Sequence, residues 1–202
     1  KNERAYLIMV TEEGVIKKTP LEDFENIRRT GIIAVNLKKG DVLRWVGISS
    51  GIDEVALTTR EGQSIRFKES QIRAMGRSAA GVRAVRLKGS DRVAGFDIIR
   101  KGEAGKLLVV MENGFAKQTA LKEYKLQNRG GRGVKAAKVT KKTGPIVAAK
   151  VIHEEAEIFA LSAKGQIIRT ALENVRITGR AAQGVRIMNL KSNDRLAGVV
   201  IM

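Results

Sequence analysis

Lysine and arginine recur at matching places in four successive stretches of this sequence, and they are the residues whose spacing suggests chemistry. In each stretch, one set of cations closely follows a glycine, and a second set lies further along in a longer polar segment. Each such cation can neutralise a phosphate and release a counterion, so recurring sets predict several equivalent contacts with one polyanion. The first set is Lys17, Lys18, Arg66, Lys68, Lys117 and Arg169, and the second is Arg28, Arg29, Arg73, Arg77, Lys125, Arg129, Arg132, Arg176 and Arg180.

The overall composition is that of a folded basic protein. The 202 residues include 38 Lys and Arg against 21 Asp and Glu, which gives a net charge of +17 at neutral pH. A hydrophobic fraction of 43% is too high for a disordered basic tail, and no apolar run approaches the length of a membrane-spanning helix. We therefore expect a packed core, a polyanionic partner and no membrane association.

Residues suited to catalysis are scarce. The sequence has no cysteine and one histidine, His153, which excludes thiolate chemistry and most zinc sites and Ser-His relays. The paired acids Glu12-Glu13 and Glu154-Glu155 lack metal-site spacing, and no glycine-rich loop carries the Lys-Ser/Thr of a nucleotide-binding loop. We expect no catalytic site, metal or cofactor, and the missing cysteines favour a cytoplasmic location.

Two glycines recur in phase and divide the chain into four units. An apolar run precedes the first glycine of each unit, and the units follow one another at roughly 50-residue intervals. This periodicity predicts blades at 1–50, 51–102, 103–154 and 155–202. The first glycines are Gly14, Gly62, Gly114 and Gly165, and the second glycines are Gly31, Gly81, Gly133 and Gly184.

Each unit is predicted to hold four strands. Asn113-Gly114 between apolar runs is a strong hairpin signal, because the tight turn needs the positive φ that Gly and Asn tolerate. Ile65 and Phe67 alternate with basic residues, as expected for a strand with one buried face. Four-stranded units at this period favour a propeller-like array. The local alternative is a short helix within 21–29 or 121–129, where apolar residues recur every three or four positions.

Several of these segments together resemble one known family, the C-terminal domain of the A subunit of DNA gyrase. The resemblance covers essentially the whole chain, and the topoisomerase IV counterpart of that domain is a close relative. It implies an all-β, propeller-like β-pinwheel of four-stranded antiparallel blades. The segments that carry it are Gly14-Val15-Ile16-Lys17-Lys18-Thr19, Ile65-Arg66-Phe67-Lys68-Glu69-Ser70, Gly114-Phe115-Ala116-Lys117-Gln118-Thr119, Gly165-Gln166-Ile167-Ile168-Arg169-Thr170 and the box-like loop Gln127-Asn128-Arg129-Gly130-Gly131-Arg132-Gly133.

The box-like loop departs from the family pattern in two ways. The family box has the form Gln-Arg-Arg-Gly-Gly-x-Gly, and Asn128 replaces the first arginine. Family members usually have six blades with the box in the first, whereas here the loop lies in the third of four. We therefore expect these units to correspond to the last four blades, with residues 127–133 as a relative of the functional box.

The resemblance also implies function and partners. The family binds and wraps double-stranded DNA without sequence preference and sets the handedness of the DNA crossing for negative supercoiling. It belongs to an ATP-dependent bacterial type II topoisomerase. The implied partners are the remainder of the A subunit of gyrase and, through it, the B subunit of gyrase, and the implied location is cytoplasmic and nucleoid-associated. Two alternatives stay open: the corresponding domain of topoisomerase IV, and a basic propeller that docks an acidic protein.

Overall fold

The computed structural model describes residues 5–27 and 29–202 as a series of four antiparallel β-sheets. The strands are β1 (Tyr6–Thr11), β2 (Val15–Pro20), β3 (Leu43–Ser49), β4 (Glu54–Thr59), β5 (Gln63–Lys68), β6 (Val82–Arg83), β7 (Val93–Ile99), β8 (Lys106–Met111), β9 (Phe115–Ala120), β10 (Val134–Lys135), β11 (Ile146–Ile152), β12 (Glu157–Ser162), β13 (Ile167–Ala171), β14 (Val185–Arg186) and β15 (Leu196–Ile201).

Helical geometry in the described residues is confined to four short 3-10 turns, each directly after the second strand of a unit. The turns are Leu21–Phe24, Glu69–Gln71, Leu121–Glu123 and Leu172–Asn174. The two segments for which a short helix was the alternative each contain one 3-10 turn within their described residues. No helix in this part of the chain is long and apolar enough to cross a membrane.

The first two strands of every unit form the predicted hairpin. The pairs β1–β2, β4–β5, β8–β9 and β12–β13 are antiparallel, and the hairpin glycines all have positive φ, for example +79° at Gly114. A third strand pairs with the other edge of the first strand in each sheet, as β3 does with β1. We call β3, β7, β11 and β15 the inner strands. These pairings confirm the all-β, antiparallel, fourfold architecture.

The fourth strand of each of the first three sheets comes from the following unit. The orders are β3-β1-β2-β6, β7-β4-β5-β10 and β11-β8-β9-β14, and within the described residues the fourth sheet has only β15, β12 and β13. Val134, for example, pairs with Ser64 of the preceding unit. Consecutive units are therefore joined by exchanged strands, β6, β10 and β14, rather than merely placed side by side.

The second glycine of a unit makes this exchange possible. Gly133 has a φ of +76°, and a Cβ atom on it would lie 2.5 Å from the carbonyl oxygen of Ser64. Gly184 approaches Ala116 in the same way, at 2.4 Å. Both the backbone angle and the close contact exclude a side chain, so this glycine marks where one unit touches the unit before it.

The apolar cores lie between consecutive sheets. One cluster joins the first and second units, another the second and third, and another the third and fourth. The strand β8 contributes to two of them, with Leu107 and Val109 in one cluster and Leu108 and Val110 in the next. Because successive side chains on a strand point to opposite faces, burial on both faces requires the continuous apolar run seen in this strand.

Candidate nucleic-acid interface

Each basic loop that leads into an exchanged strand is hydrogen-bonded to the corresponding segment of a neighbouring unit. We define the loop band as residues 29–39, 73–88, 125–142 and 176–191. Its segments form one continuous surface because a backbone N–H of each of the first three donates to a carbonyl of the next. These bonds are Asn36 N to Ala79 O at 3.3 Å, Arg86 N to Gly131 O at 2.8 Å, and Lys138 N to Ala182 O at 3.1 Å.

The charged side chains within the four segments of the loop band are all positive, since these segments contain no aspartate or glutamate, and Glu123, which lies next to the band, accepts the Arg180 N–H at 3.3 Å. Five of the predicted loop cations are exposed, and three are partly buried. Arg28, another predicted cation, lies outside the described residues. The exposed ones are Arg29, Arg73, Lys125, Arg132 and Arg176, and the partly buried ones are Arg77, Arg129 and Arg180.

The exchanged strands add cations that the sequence-based site did not include. Arg83, Lys135 and Arg186 each follow the second glycine of their unit by two residues and are exposed. Arg86 and Lys138 are exposed further along the same segments. Their recurrence at a fixed distance from the second glycine is the sequence signal that points to them.

Lys17 and Lys117 are placed in the protein interior, at 1% and 0% exposure. The Lys117 Nζ donates to the carbonyl oxygens of Gly179 and Arg180 at 2.8 and 2.7 Å, and the Lys17 Nζ donates to the loop carbonyls of Ala34 and Arg77. Burial lowers the pKa of Lys117 to about 8 and also lowers the pKa of Lys17. These two lysines anchor loops from within, so we leave them out of the proposed contact surface.

Lys18 and Arg66 are also engaged within the protein. The Lys18 Nζ lies 3.3 Å from Glu69 and 4.7 Å from the centre of the Tyr6 ring, with the lysine 6% exposed. The Arg66 guanidinium contacts Glu54 at 2.5 Å and donates to carbonyls of the next unit. The burial and partners of these side chains favour a structural role over phosphate contact.

Lys68 and Arg169 are the second-strand cations that the structure leaves exposed. Arg169 pairs with Glu157 at 2.7 Å and is 64% exposed. Its guanidinium also lies 5.7 Å from the centre of the Phe159 ring. Lys68 is accessible to a polyanion because it is exposed. Arg169 is accessible as well, because an exposed ion pair of this kind rearranges at little cost.

The box-like loop is held against the second unit by its backbone. Gln127 N–H donates to the Arg66 carbonyl at 2.8 Å, and Gly130 N–H donates to the Ala84 carbonyl at 2.7 Å. These N–H groups are therefore used inside the protein. The Gly130 N–H, which already has a partner, is not available to a phosphate.

The two arginines of this loop have different surroundings. Arg129 donates through its guanidinium to the carbonyl oxygens of Gln71, at 3.1 Å, and Arg83, and its backbone N–H donates to the Gln71 side chain at 2.7 Å. Arg132 is exposed at the loop surface. Arg129 thus clamps the loop onto the second unit, and Arg132 is the arginine directed at solvent.

The described residues contain no group of three or more His, Cys, Asp or Glu side chains arranged to hold a metal ion. His153 lies near the end of the third unit and contacts the start of the same unit, where its Nδ1 is 2.8 Å from the Ala104 carbonyl and its Nε2 is 3.4 Å from Glu103. The exposed cations of the loop band suit this surface to neutralising a polyanion.

Comparison with known proteins accounts for nearly the whole chain. A family model described as the DNA gyrase C-terminal domain, beta-propeller, matches residues 5–50, 53–100, 106–153 and 156–201. The A subunit of DNA gyrase from Staphylococcus epidermidis is 38% identical over 94% of this chain, and that from Deinococcus deserti is 41% identical over 96%. The chain spans only 21% and 24% of the lengths of these two relatives.

Solved structures show the same architecture. A DNA gyrase A C-terminal domain aligns with 98% of this chain at a TM-score of 0.84 and 28% identity. The C-terminal domain of a DNA topoisomerase IV aligns with 99% at a TM-score of 0.91 and 26% identity. The chain covers 66% and 62% of these two structures.

Proposed function

This chain belongs to the family of DNA gyrase C-terminal domains, and from that premise we propose that it binds double-stranded DNA along the loop band and bends it. The observation that carries the proposal is the continuity of the band, whose basic segments are hydrogen-bonded from unit to unit and contain no acidic residue. Phosphates follow one another along a duplex, so a continuous row of cations matches the DNA backbone rather than any base sequence.

The proposed contacts are the seven exposed cations among the sequence-predicted positions, together with five exposed cations on or just after the exchanged strands. Such contacts release counterions from the duplex, and the energy of bending is offset by the additional contacts that a bent path allows. The residues are Arg29, Lys68, Arg73, Arg83, Arg86, Lys125, Arg132, Lys135, Lys138, Arg169, Arg176 and Arg186.

The larger activity that we propose for the whole protein is negative supercoiling by an ATP-dependent type II topoisomerase. In it, this region supplies the binding and bending that set the handedness of the DNA crossing, and other parts of the enzyme perform the chemistry. The remainder of the A subunit of gyrase and, through it, the B subunit of gyrase are the proposed partners, at the nucleoid. Support comes from the curated relatives, which are named as the A subunit of DNA gyrase.

One alternative within the same class is the corresponding part of topoisomerase IV, which the TM-score of 0.91 to such a domain favours. The two differ in whether the intact enzyme introduces negative supercoils or only relaxes and decatenates DNA. We favour the gyrase function because relatives named as the A subunit of gyrase are up to 41% identical to this chain.

The test compares two triple variants of equal charge. One replaces Arg132, Lys135 and Lys138 of the loop band by Ala. The control replaces Arg44, Lys101 and Lys150, which are exposed on or next to the inner strands, at the sheet edge opposite the exchanged strands. Both variants lose three positive charges, so a difference between them reports the place of the charge and not its amount.

We expect the band variant to bind duplexes of any sequence more weakly, with a log–log salt slope shallower by about 3 than that of the wild type. The control variant should keep the wild-type slope within about 1. Equal slopes for the two variants would reject the loop band as the DNA surface. Binding of an acidic protein with higher affinity than DNA at the same salt concentration would support the acidic-partner alternative instead.

A further inference from the structure

One residue of the second strand links each of the first three units to the next. It lies four positions after the hairpin glycine, and its backbone carbonyl accepts an N–H from just beyond the 3-10 turn of the following unit. The same bond is thus repeated at three junctions. The bonds are Met75 N to Lys18 O at 2.9 Å, Gln127 N to Arg66 O at 2.8 Å, and Thr178 N to Gln118 O at 2.8 Å.

The side chains of these residues, which we call the joint residues, reach the 3-10 turn of the following unit. Arg66 donates to the carbonyls of Leu121 and Tyr124 at 3.0 and 3.4 Å. Gln118 donates to the carbonyls at the equivalent places of its neighbouring unit, Leu172 and Val175, at 2.6 and 3.0 Å. Lys18 pairs instead with the side chain of Glu69, the first residue of the next turn.

The three junctions therefore use three chemistries for one connection. Gln118 is uncharged and 2% exposed, so it does not neutralise phosphate. The apolar clusters between consecutive sheets are not directional, so the orientation of one unit on the next depends on the hydrogen bonds of the exchanged strands, of the loop band and of these joints. Hydrogen bonds constrain distance and angle, so the joint residues are suited to fix how one unit is oriented on the next.

We propose that Lys18, Arg66 and Gln118 are positioning residues that set the angle between consecutive units and, through it, the curvature imposed on bound DNA. The proposal rests on the proposed function, because curvature matters only if DNA follows the loop band. Each unit carries its own segment of that band, so a change of angle at one joint redirects the next set of cations. It alters the path of the DNA without removing a phosphate contact.

The test uses Gln118→Met, which removes two hydrogen bonds to the next turn and leaves the net charge unchanged. The first measurement is amide hydrogen exchange by NMR in the absence of DNA. Exchange at Thr178 should become about tenfold faster, while Met75 and Gln127 at the other two joints stay unchanged. Arg66→Gln places the amide of the third joint at the second one, so exchange at Gln127 should stay near the wild-type rate in that variant.

The second measurement is the linking-number change trapped when relaxed circular DNA is closed by ligase at equal occupancy. Gln118→Met should reduce this change by about a third, because it loosens one of three joints, and its affinity and salt slope should remain those of the wild type. Lys101→Met, an exposed substitution away from the joints, should leave the linking-number change and the affinity unchanged.

Unchanged Thr178 exchange in Gln118→Met would overturn the proposal, as would a full linking-number change despite faster exchange. If Gln118→Met does not fold, Arg66→Met, with Arg66→Gln as its restoring partner, provides the same comparison at Gln127. A wild-type chain that traps no linking-number change would instead refute the proposed function, and the exchange rates would still decide whether the joint residue orients the units.

Discussion

Replacing Glu69 by Gln, which breaks the buried Lys18–Glu69 ion pair, is expected to destabilise the protein far more than breaking the shorter Arg169–Glu157 ion pair at its surface. Glu69 is fully buried, and its carboxylate accepts hydrogen bonds from the Ser49 hydroxyl at 2.7 Å and the Gly51 N–H at 3.1 Å. It lies 3.3 Å from the Lys18 ammonium, which is itself 8% exposed at the side chain. Glu69→Gln keeps the shape and one acceptor but leaves the Lys18 charge buried and unpaired.

The magnitude follows from the surroundings of the two pairs. At 3.3 Å and an effective dielectric constant near 20, the Lys18–Glu69 attraction is about 5 kcal/mol. The Arg169–Glu157 pair is closer, at 2.7 Å, but 64% and 31% exposed, and in water its attraction is only about 1.5 kcal/mol before screening and side-chain entropy reduce it. We therefore expect the free energy of unfolding to fall by about 3–5 kcal/mol in Glu69→Gln and by less than about 1 kcal/mol in Glu157→Gln.

Urea unfolding at pH 7 measures both free energies, with the dependence on denaturant used to check that the transitions stay comparable. Adding Lys18→Met to Glu69→Gln should restore part of the loss, because it removes the unpaired cation. A loss below about 1 kcal/mol for Glu69→Gln, or an equal loss for Glu157→Gln, would refute the reasoning that burial and not distance decides the strength of these pairs.

Two further predictions concern backbone geometry and pH. Gly133→Ala should lower the free energy of unfolding by about 3 kcal/mol, because its φ is +76° and its Cβ would lie 2.5 Å from the Ser64 oxygen. Gly130→Ala should lower it by only about 1 kcal/mol, because the nearest atom to its Cβ is 3.7 Å away. Equal losses for the two variants in chemical unfolding would contradict this. Burial raises the pKa of Asp97 to about 6. Ionisation of this carboxyl group therefore lowers the stability of the wild type as pH rises from about 4 to 6. The stability of Asp97→Asn relative to the wild type should rise by about 2–3 kcal/mol between pH 4 and pH 7. A pH-independent difference between the two proteins would show that Asp97 is not the titrating group.

The repeat, the hairpins and the all-β architecture could be predicted because they depend on local signals. Gly114 marks a turn through its own backbone angle, and an apolar run marks the strand that precedes it. The exchange of the fourth strand could not be predicted in the same way. Equivalent units offer equivalent partners, so the sequence pattern is the same whether Val134 pairs within its own unit or, as observed, with Ser64 of the preceding one.

The candidate site shows a similar division. Exposed loop cations such as Arg132 were predicted from recurrence, but Lys17 and Lys117 were assigned to the surface and are buried. Charge alone does not report burial when a lysine can donate to backbone carbonyls inside the protein. A signal was present nonetheless, because the equivalent place in the other two units is occupied by Ile65 and Ile168, which indicates a position that faces the core.

Binding and bending of duplex DNA by the loop band can be measured together in one experiment. Relaxed circular DNA is closed with ligase at increasing concentrations of the protein, and the topoisomers are resolved after the protein is removed. We predict a linking-number change that grows with occupancy, and that falls at equal protein concentration when Arg132, Lys135 and Lys138 are replaced by Ala. Saturating binding with an unchanged topoisomer distribution would contradict bending along the loop band.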